Sequence, residues 1–528
     1  MNLYKLRKDL LEKADFIIYG CGLIATEVYM ELKKIQLLPQ YCVITEKKKE
    51  NEVFFDMPVY EINDKADDIR KKNTCVVLAV NERNREEIEK TLLNLGITNY
   101  IGLSSFLRKT ADEYWKMSTA DCLEEVASWH LEHLGEFGKD PVEEVHAIQE
   151  WLANRKINER KIIFVVGTLT PRTIKIMQAL LKCGFEVEVL ASPIAVLQQI
   201  CMNQLESLEV TIIKCQSLEE LIYRLLISDG KVVHLFTHRG HSHYDRVLIK
   251  HKSLFAPIVY DEYDVVGVFY TNEPQVVIDN EKYCLENVAG VCNRGFEIEY
   301  LVNEHNYKIK GYVIQFQDYC NEIQCVNGMP TESEMSLCYV GGILAYDEWP
   351  EFADGFLELA EECRKNKCHF HVYPIMWDTS KYVFYKEMEK NNTYFHLHMP
   401  ISFEKLAEEI SMYDYGVFPI KRKILTQKTF MYNTHEKAIY GTTNKYFDYL
   451  DAGLPIVAAH SRKQIDFFEK IGVVLDWTIE DYDFDELRRR KKELKEKVIL
   501  EREKLRMSNQ IHKLVDLFDS ISKGRRGL

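Results

Sequence analysis

Short apolar runs recur along this 528-residue chain, and each is followed by a turn and then by a helical pattern. The clearest runs lie at 14–19, 162–166, 232–236 and 337–340. Strands that alternate with helices in this way form parallel sheets with right-handed crossovers. The sequence therefore predicts an α/β protein that consists of several successive parallel-sheet units.

These runs fall into three series, and a chain of this length usually holds about three domains. A helical stretch separates the first two series, and the break MPTES at 329–333 precedes the third. The helical stretch also fits a dimerisation surface, which leaves a homo-oligomer open. The predicted segments are a small α/β domain at 1–110, a helical linker at 111–158, two larger α/β lobes at 159–328 and 329–480, and a charged C-terminal helix at 481–528.

The composition argues against several classes of protein. A formal net charge of −14 is contrary to the basic surface of a general nucleic-acid binder. The 14 cysteines include no Cys-x-x-Cys pair, so we expect free thiols in a reducing compartment and no metal site. Neither a signal-peptide core nor a run of about 18 apolar residues occurs. We therefore predict a cytoplasmic protein whose membrane contact, if any, is peripheral.

The basic run at 488–492 lies in the charged C-terminal segment. It fits a solvated helix face, and it also fits a contact with anionic lipid headgroups at the inner face of the membrane. The glutamates around it count against a strong lipid anchor.

The segment 442–459, TTNKYFDYLDAGLPIVAA, is the most informative stretch for function. A polar opening leads into an amphipathic turn at 445–450, then an Ala-Gly stop and a short apolar strand at 456–459. Gly ends helices readily and Pro often follows, so the pattern predicts helix, turn and buried strand. Free N–H groups at the helix start favour an anion, and Asp448 is placed to accept a bond from a sugar hydroxyl. We expect this unit to hold a phosphorylated, hydroxylated ligand.

This segment resembles the donor-site motif P-x-K-x-x-E-Y-x-x-x-G-x-P-V-V of nucleotide-sugar glycosyltransferases with the GT-B fold, of the group 1 or family 4 type. Asp448 stands where the family usually has Glu, and Tyr440 stands where retaining members often have a second Glu. The resemblance extends over about 160–500 and implies two Rossmann-like lobes that face each other across a cleft. The matching positions are Lys445, Asp448, Tyr449, Gly453, Pro455, Ile456 and Val457.

The resemblance also implies a donor site in the second lobe. Gly341 and Gly342 follow a strand and match the turn where diphosphate oxygens reach backbone N–H groups. The basic residue that usually follows this turn is missing, and Arg422 in a basic loop is our candidate to replace it; a solvated loop is the alternative. The implied donor-site residues are Gly341, Gly342, Arg422, Asn444, Lys445 and Asp448.

Candidates for acceptor binding and catalysis lie at strand ends of the first lobe. His238, in the His-rich loop 237–243, fits a base or an acceptor or phosphate contact, and an ordinary surface histidine or a metal ligand are alternatives. Asp261 and Asp264 follow another apolar run, where carboxylates bind sugar hydroxyls, act as a base or hold a divalent ion. Acceptor recognition is preferred over a metal, because the GT-B enzymes that the chain resembles usually need no metal. A capping or structural carboxylate is the remaining alternative.

His396 and His398 precede the apolar run at 415–419. By the resemblance they lie near the base of the donor nucleotide, and buried structural histidines fit almost equally well.

Gly20, Gly22 and Glu46 characterise the small N-terminal domain. The two glycines follow a strand and open a helix, and the acidic residue follows the next strand, as in a dinucleotide-binding fingerprint. The same glycines are needed for turn geometry alone. The domain also resembles small Rossmann-like domains attached to bacterial surface-sugar enzymes, so a structural or docking role is favoured over bound NAD or nucleotide.

We therefore predict a hexosyltransferase-type glycosyltransferase that moves a sugar from a nucleotide-diphosphate sugar to a hydroxyl of a saccharide or glycolipid acceptor. The family context implies synthesis of bacterial cell-surface polysaccharide or glycoconjugate, and no cofactor is expected to be required. The two departures from the motif keep a second hypothesis open, a GT-B-like scaffold without catalysis. The pattern fixes neither donor sugar, acceptor nor stereochemistry.

Overall fold

The computed structural model describes residues 10, 15–34, 37–46, 53–55, 57–80, 82–103, 110–134, 140–197, 199–208, 210–236, 242–265, 267, 273–322, 334–343, 350–375, 382–419, 434–459, 461–477 and 482–524. The chain forms two compact units. The first comprises Met1–Arg155 and Cys215–Ile227, and the second comprises Lys156–Lys214 and Ser228–Leu528.

The first unit contains a six-stranded sheet in the order β3-β4-β2-β1-β5-β6. Its strands are β1 (Phe16–Tyr19), β2 (Cys42–Ile44), β3 (Val53–Phe54), β4 (Met57–Glu61), β5 (Cys75–Ala79) and β6 (Tyr100–Leu103). Among the described strand pairs of this sheet, β3–β4 alone is antiparallel. β1 and β5 are buried at every position, as expected for central strands covered on both faces. The accompanying helices are Leu23–Lys34, Ile62–Lys72 and Glu82–Asn94.

Four further helices of the first unit pack together, and local capping sets where several of them begin. Thr110 and Ser118 each form a reciprocal capping box with the acidic residue three positions later. His130 lies 2.8 Å from the Tyr223 hydroxyl through Nε2 and 2.6 Å from Glu144 through Nδ1, which ties three of these helices together. The helices are Ala111–Lys116, Thr119–His133, Pro141–Asn154 and Leu218–Ile227.

The second unit begins with a seven-stranded sheet in the order β13-β12-β11-β10-β7-β8-β9, whose described pairs are all parallel. Its strands are β7 (Asn158–Leu169), β8 (Glu186–Leu197), β9 (Ile212–Lys214), β10 (Gly230–Phe236), β11 (Ile258–Glu262), β12 (Gly290–Asn293) and β13 (Tyr312–Gln315). The helices of this part are Pro171–Lys182, Gln199–Ser207, Ser242–Lys250, Gln275–Asn287 and Glu297–Glu304.

A six-stranded sheet in the order β16-β15-β14-β17-β18-β19 follows, again with parallel pairs throughout the described strands. Its strands are β14 (Ser336–Gly341), β15 (His369–Pro374), β16 (Phe395–Leu397), β17 (Tyr415–Val417), β18 (Ile456–Ala458) and β19 (Val474–Asp476). The helices of this part are Pro350–Lys365, Val383–Asn391, Phe403–Ile410, Thr434–Tyr440, Lys445–Asp451 and Arg462–Ile471.

The C-terminal segment is not the single helix that the sequence predicts. It forms three helices, Phe484–Arg502, Met507–Gln510 and His512–Gly524. The break has a tertiary cause: Cys320 donates to the carbonyl of Leu505 at 2.9 Å and accepts from the N–H of Met507 at 3.0 Å. The apolar positions still face inward, since Leu487, Leu494 and Val498 are all fully buried.

The basic run 488–492 is paired with acidic neighbours. Arg488 contacts Asp485 at 2.8 Å, Arg490 contacts Glu493 at 3.1 Å, and Lys491 contacts Asp414 at 2.6 Å. These pairs neutralise much of the run, which favours the solvated helix face over the lipid contact.

The predicted fold class is confirmed. The chain is an α/β protein with two Rossmann-like lobes in one unit and a smaller Rossmann-like sheet earlier in the sequence. No helix within the described ranges is both long and apolar enough to cross a membrane.

Candidate functional site

A buried charged network lies at the carboxyl ends of β10 and β11. Arg172 donates from Nε and Nη2 to Asp261 Oδ1 at 3.3 and 3.2 Å. Its Nη1 lies 3.3 Å from Asp318 Oδ1, and His234 Nε2 lies 2.9 Å from Asp261 Oδ2. Both carboxylate oxygens of Asp261, one of the predicted catalytic residues, are therefore occupied. Asp261 holds Arg172 in place and offers no open carboxylate to a substrate.

The electrostatics of this network keep it ionised. Burial raises the pKa of the Asp261 carboxyl, but the Arg172 charge and the hydrogen bond with His234 outweigh burial and hold that pKa below its usual value. Burial lowers the pKa of Arg172, and the facing carboxylates more than compensate. A buried ion pair costs desolvation energy, which these contacts offset only while every partner is present.

Arg294 links the two lobes within the second unit. It directly follows β12, and its Nη2 donates to Asp264 Oδ1 at 3.0 Å and to the carbonyl of Thr442 at 3.3 Å. Its guanidinium also lies 3.9 Å from the ring centre of Tyr263. Because Thr442 opens the segment 442–459, the structure places the predicted Asp264 beside the predicted donor segment.

The segment 442–459 folds as the sequence predicts. A helix covers Lys445–Asp451, Gly453 adopts φ +75°, and the buried strand β18 follows. Tyr446 and Phe447 are fully buried, so the first turn of this helix is firmly held.

Three backbone amides at the start of this helix are used inside the turn itself. The N–H of Lys445 donates to Thr443 Oγ1 at 3.3 Å, and those of Phe447 and Asp448 donate to the carbonyl of Asn444 at 2.9 and 3.2 Å. The expectation that free amides at the helix start hold an anion stays a prediction. Asn444 contributes as the residue that closes the turn, and the positive charge available here is the Lys445 side chain.

Gly341 ends β14 and lies against the side chain of Lys445. Its φ of +145° is one that other residues rarely adopt, and a Cβ at this position would collide with Lys445 Cε. At the neighbouring Gly342, no described atom lies within 4 Å of the Cβ position. The structure thus brings the predicted glycine turn and the predicted lysine together, with open space beside them.

The Lys445 ammonium lies beside two aromatic rings. It lies 5.3 Å from the ring centre of Phe418 and 5.7 Å from that of Tyr339. Within the described part of the chain, no hydrogen bond or ion pair of this ammonium occurs. Burial lowers its pKa to about 8, so it is still mostly protonated at neutral pH. Such a cation is suited to an anionic ligand.

The Asp448 side chain is only 8% exposed, and burial raises its pKa to about 7. Lys175 in the first lobe acts against this shift, while Asp451 and Asp318 add to it. Its carboxyl makes no hydrogen bond or ion pair with any described residue. A carboxyl that titrates near neutrality both donates to and accepts from hydroxyl groups, which suits a sugar.

Two predicted residues cannot be placed. His238 and Arg422 lie outside the described residues. Their assignments as a base and as a phosphate contact stay predictions.

The structure explains one of the three N-terminal candidates, Gly20. Gly20 has φ +120°, its N–H donates to Val43, and a Cβ there would lie 2.7 Å from the Ala79 carbonyl oxygen. Close packing of the turn against β5 therefore requires a glycine, whatever the turn binds. At Gly22 no described atom lies within 4 Å of the Cβ position, and Glu46 is exposed. Binding of NAD or a nucleotide at these residues stays a prediction.

Sequence reasoning missed Arg172, Lys175, Arg294 and Asp318. Lys175 Nζ donates to the carbonyls of Asp318 and Tyr319 at 2.9 and 2.7 Å. Arg294 carried a usable signal, because it directly follows the apolar run 290–293, and ligands bind outside the carboxyl ends of such strands.

Tyr440 occupies the place where retaining relatives of the motif carry a carboxylate. Its ring stacks on Tyr300 at 4.7 Å between centres, and its carbonyl accepts from the N–H of Phe296 at 3.1 Å. This position therefore serves contact between the two lobes.

Comparison with known proteins gives structural likenesses at low sequence identity. A glycosyltransferase from Rickettsia africae is 10% identical, over 69% of this chain and 99% of that chain, with a TM-score of 0.44. The Thermobaculum terrenum O-GlcNAc transferase is 11% identical, over 77% of this chain and 79% of that chain, with a TM-score of 0.45. WaaB, a lipopolysaccharide outer core galactosyltransferase, is 10% identical over 68% and 99%, with a TM-score of 0.44. No family model and no curated protein matches the chain.

The second unit contains two parallel-sheet lobes, and a smaller α/β sheet lies earlier in the sequence. The structural likenesses have identities of 9–13% and TM-scores of 0.37–0.45. The roles of individual residues therefore rest on the geometry of this chain.

Proposed function

We propose that the second unit is a glycosyltransferase that uses a nucleotide-diphosphate sugar. The observation that carries this proposal is the pair formed by Lys445 and Asp448, one helical turn apart. Within the described residues, neither the Lys445 ammonium nor the Asp448 carboxyl makes a hydrogen bond or an ion pair. A diphosphate supplies an anionic partner for Lys445, and a ribose or sugar hydroxyl supplies a hydrogen-bond partner for Asp448.

In this proposal the donor occupies the space beside Gly341 and Gly342. Lys445, beside the rings of Phe418 and Tyr339, stabilises the negative charge that grows on the departing diphosphate. Because the cation is already fixed in place, little reorganisation is needed when the sugar–phosphate bond breaks. Asp448 orients the donor through a hydroxyl group.

The acceptor side is formed by the first lobe. Asp264, oriented by Arg294, is the carboxylate nearest to the segment 442–459 among the predicted catalytic residues, and it would orient or deprotonate an acceptor hydroxyl. His238 is kept as a second candidate for the base. We propose a saccharide or glycolipid acceptor in cell-surface glycoconjugate synthesis on the cytoplasmic side of the membrane, with no cofactor required for transfer.

A panel of UDP-, GDP- and TDP-sugars tests this function. Release of nucleoside diphosphate from at least one donor, in the presence of short saccharides or in water, is the expected result. Absence of binding and of turnover for every donor would contradict the proposal.

A second candidate is a GT-B-like protein that binds a nucleotide sugar without transferring it. The stacking of Tyr440 on Tyr300 favours it, since that position holds the lobes together where a catalytic carboxylate would otherwise lie. Tight nucleotide binding without release of diphosphate on any donor or acceptor would establish this candidate.

The raised pKa of Asp448 predicts a pH-dependent stability. Between about pH 4 and 7 the folded protein binds one more proton at this site than the unfolded chain, so the wild type loses stability as pH rises through this window. Asp448→Asn removes the cost of ionising the buried carboxyl. We expect its thermal midpoint to rise above the wild-type value increasingly from pH 5 to pH 7.5.

The control for this experiment is Asp485→Asn, whose side chain is 94% exposed. Its difference from the wild type should stay flat across the same range. A flat difference for Asp448→Asn as well would show that the carboxyl titrates as an ordinary exposed aspartate.

A further inference from the structure

Four histidines lie on two neighbouring strands of the second lobe. His369 and His371 lie two residues apart in β15. His396 lies in β16, and His398 directly follows that strand. The parallel register sets His371 opposite His396. Because side chains two residues apart point to the same face, the pairing brings four imidazoles together.

Three of these histidines have the spacing of a metal site. One ring nitrogen each from His369, His371 and His396 lies within 4.8 Å of the other two. His369 Nδ1 lies 2.8 Å from His396 Nε2. Zinc binds imidazole nitrogen at about 2.0–2.1 Å in tetrahedral geometry, which sets two ligand nitrogens about 3.3 Å apart. An ion could therefore replace the proton between His369 and His396 if these two rings separate by about half an ångström.

The surroundings orient these rings as ligands. His369 Nε2 lies 3.2 Å from a carboxylate oxygen of Glu334, which leaves Nδ1 directed at His396. His371 Nδ1 lies 2.9 Å from His398 Nε2. A metal-binding histidine usually has its second nitrogen on a carboxylate or a similar group, which fixes the tautomer and raises the basicity of the ligand.

The cluster is also half-buried among aromatic rings. Tyr413 stacks on His371 at 4.3 Å between ring centres, and Tyr373 stacks on His398 at 4.2 Å.

We propose that His369, His371 and His396 bind one divalent transition-metal ion of the zinc type, with the Glu334 carboxylate supporting His369. The sequence gives no sign of this site, because its ligands come from separate strands rather than from a short motif. Imidazole ligands suit zinc, copper and nickel, whereas calcium and magnesium prefer oxygen.

The site lies away from the donor turn, and this position fits a structural role. His369 pairs in register with Ser336, whereas Gly341 of the donor turn is five residues further along β14. His371 pairs with Cys338, three residues before Gly341. At about 3.3 Å per residue, this places the ion roughly 10–16 Å along the sheet from the donor turn. An ion there would cross-link the edge strand β16 to β15, without a part in sugar transfer.

Titration of the full-length chain with Co²⁺ and Zn²⁺ under reducing conditions tests the proposal. We expect one ion per chain, a visible Co²⁺ absorption typical of low coordination number, and a rise in thermal midpoint on metal addition. His371→Ala and His396→Ala should each weaken binding at least 100-fold, and Glu334→Gln should weaken it about 10- to 100-fold. The control His512→Ala removes an exposed histidine whose Nδ1 lies 3.0 Å from the carbonyl of Asn509, and this variant should bind as the wild type does.

Wild-type protein alone provides a second measurement in case a variant does not fold. X-ray absorption of the zinc-loaded chain should show three imidazole ligands. Binding through sulfur would overturn the proposal, as would a wild type that binds no ion or histidine variants that fold and keep the wild-type affinity.

Discussion

Replacing Lys445 with methionine is expected to weaken nucleoside diphosphate binding about 10- to 100-fold. The substitution keeps the apolar stem against Phe418 and Tyr339 but removes the charge that has no partner within the described residues. Hydrogen bonds to charged groups contribute about 1.5–3 kcal/mol, which corresponds to this loss in affinity. Calorimetric titration with UDP, GDP and TDP provides the measurement.

The same variant should change how binding depends on pH. Because burial lowers the pKa of Lys445 to about 8, the wild type should lose affinity as pH rises above that value, whereas Lys445→Met should show no such loss. Lys497→Met is the matched control, since its ammonium lies 3.5 Å from Glu501 in the C-terminal helix and is 43% exposed. Equal affinities for Lys445→Met and the wild type would remove this residue from the site.

Replacing Arg172 with alanine is expected to produce the largest loss of stability, about 3–5 kcal/mol. Arg172 is 2% exposed and pairs with Asp261 and Asp318. Its removal leaves the buried Asp261 without its main counter-charge and Asp318 with the more distant Arg294, 3.7 Å away. A lower thermal midpoint of the whole chain, followed by circular dichroism, measures the effect.

A surface arginine provides the comparison for this experiment. Arg364→Ala removes an ion pair with Glu361 whose side chains are 51% and 43% exposed, and such pairs contribute at most about 1 kcal/mol. Adding Asp261→Asn to Arg172→Ala should recover part of the loss, because it removes one uncompensated charge. A midpoint for Arg172→Ala as high as that of Arg364→Ala would contradict the assignment of a buried network.

Local patterns were enough to predict the strands and the donor segment. An apolar run such as 162–166 is fully buried in β7, and the polar opening, Ala-Gly stop and Pro of 442–459 produce helix, turn and β18. The resemblance implies Gly341 and Lys445 as residues of one donor site, and the structure brings the two into contact.

Contacts between distant parts of the chain could not be predicted in this way. Arg172 and Asp318 are 146 residues apart, and neither lies in a motif. The sequence leaves Asp261 open between a substrate contact and a structural carboxylate, and tertiary partners occupy both of its oxygens. The C-terminal helix breaks because residue 320 bonds to its backbone, which periodicity along 481–518 does not reveal.

A crystal structure of the chain with a bound nucleoside diphosphate tests the central claim most directly. UDP, GDP and TDP are each to be soaked at saturating concentration. The expected result is a diphosphate oxygen within hydrogen-bond distance of Lys445 Nζ, beside Gly341 and Gly342, with a hydroxyl group against Asp448. A nucleotide bound elsewhere, for instance at the turn of Gly20 and Gly22, would contradict the claim.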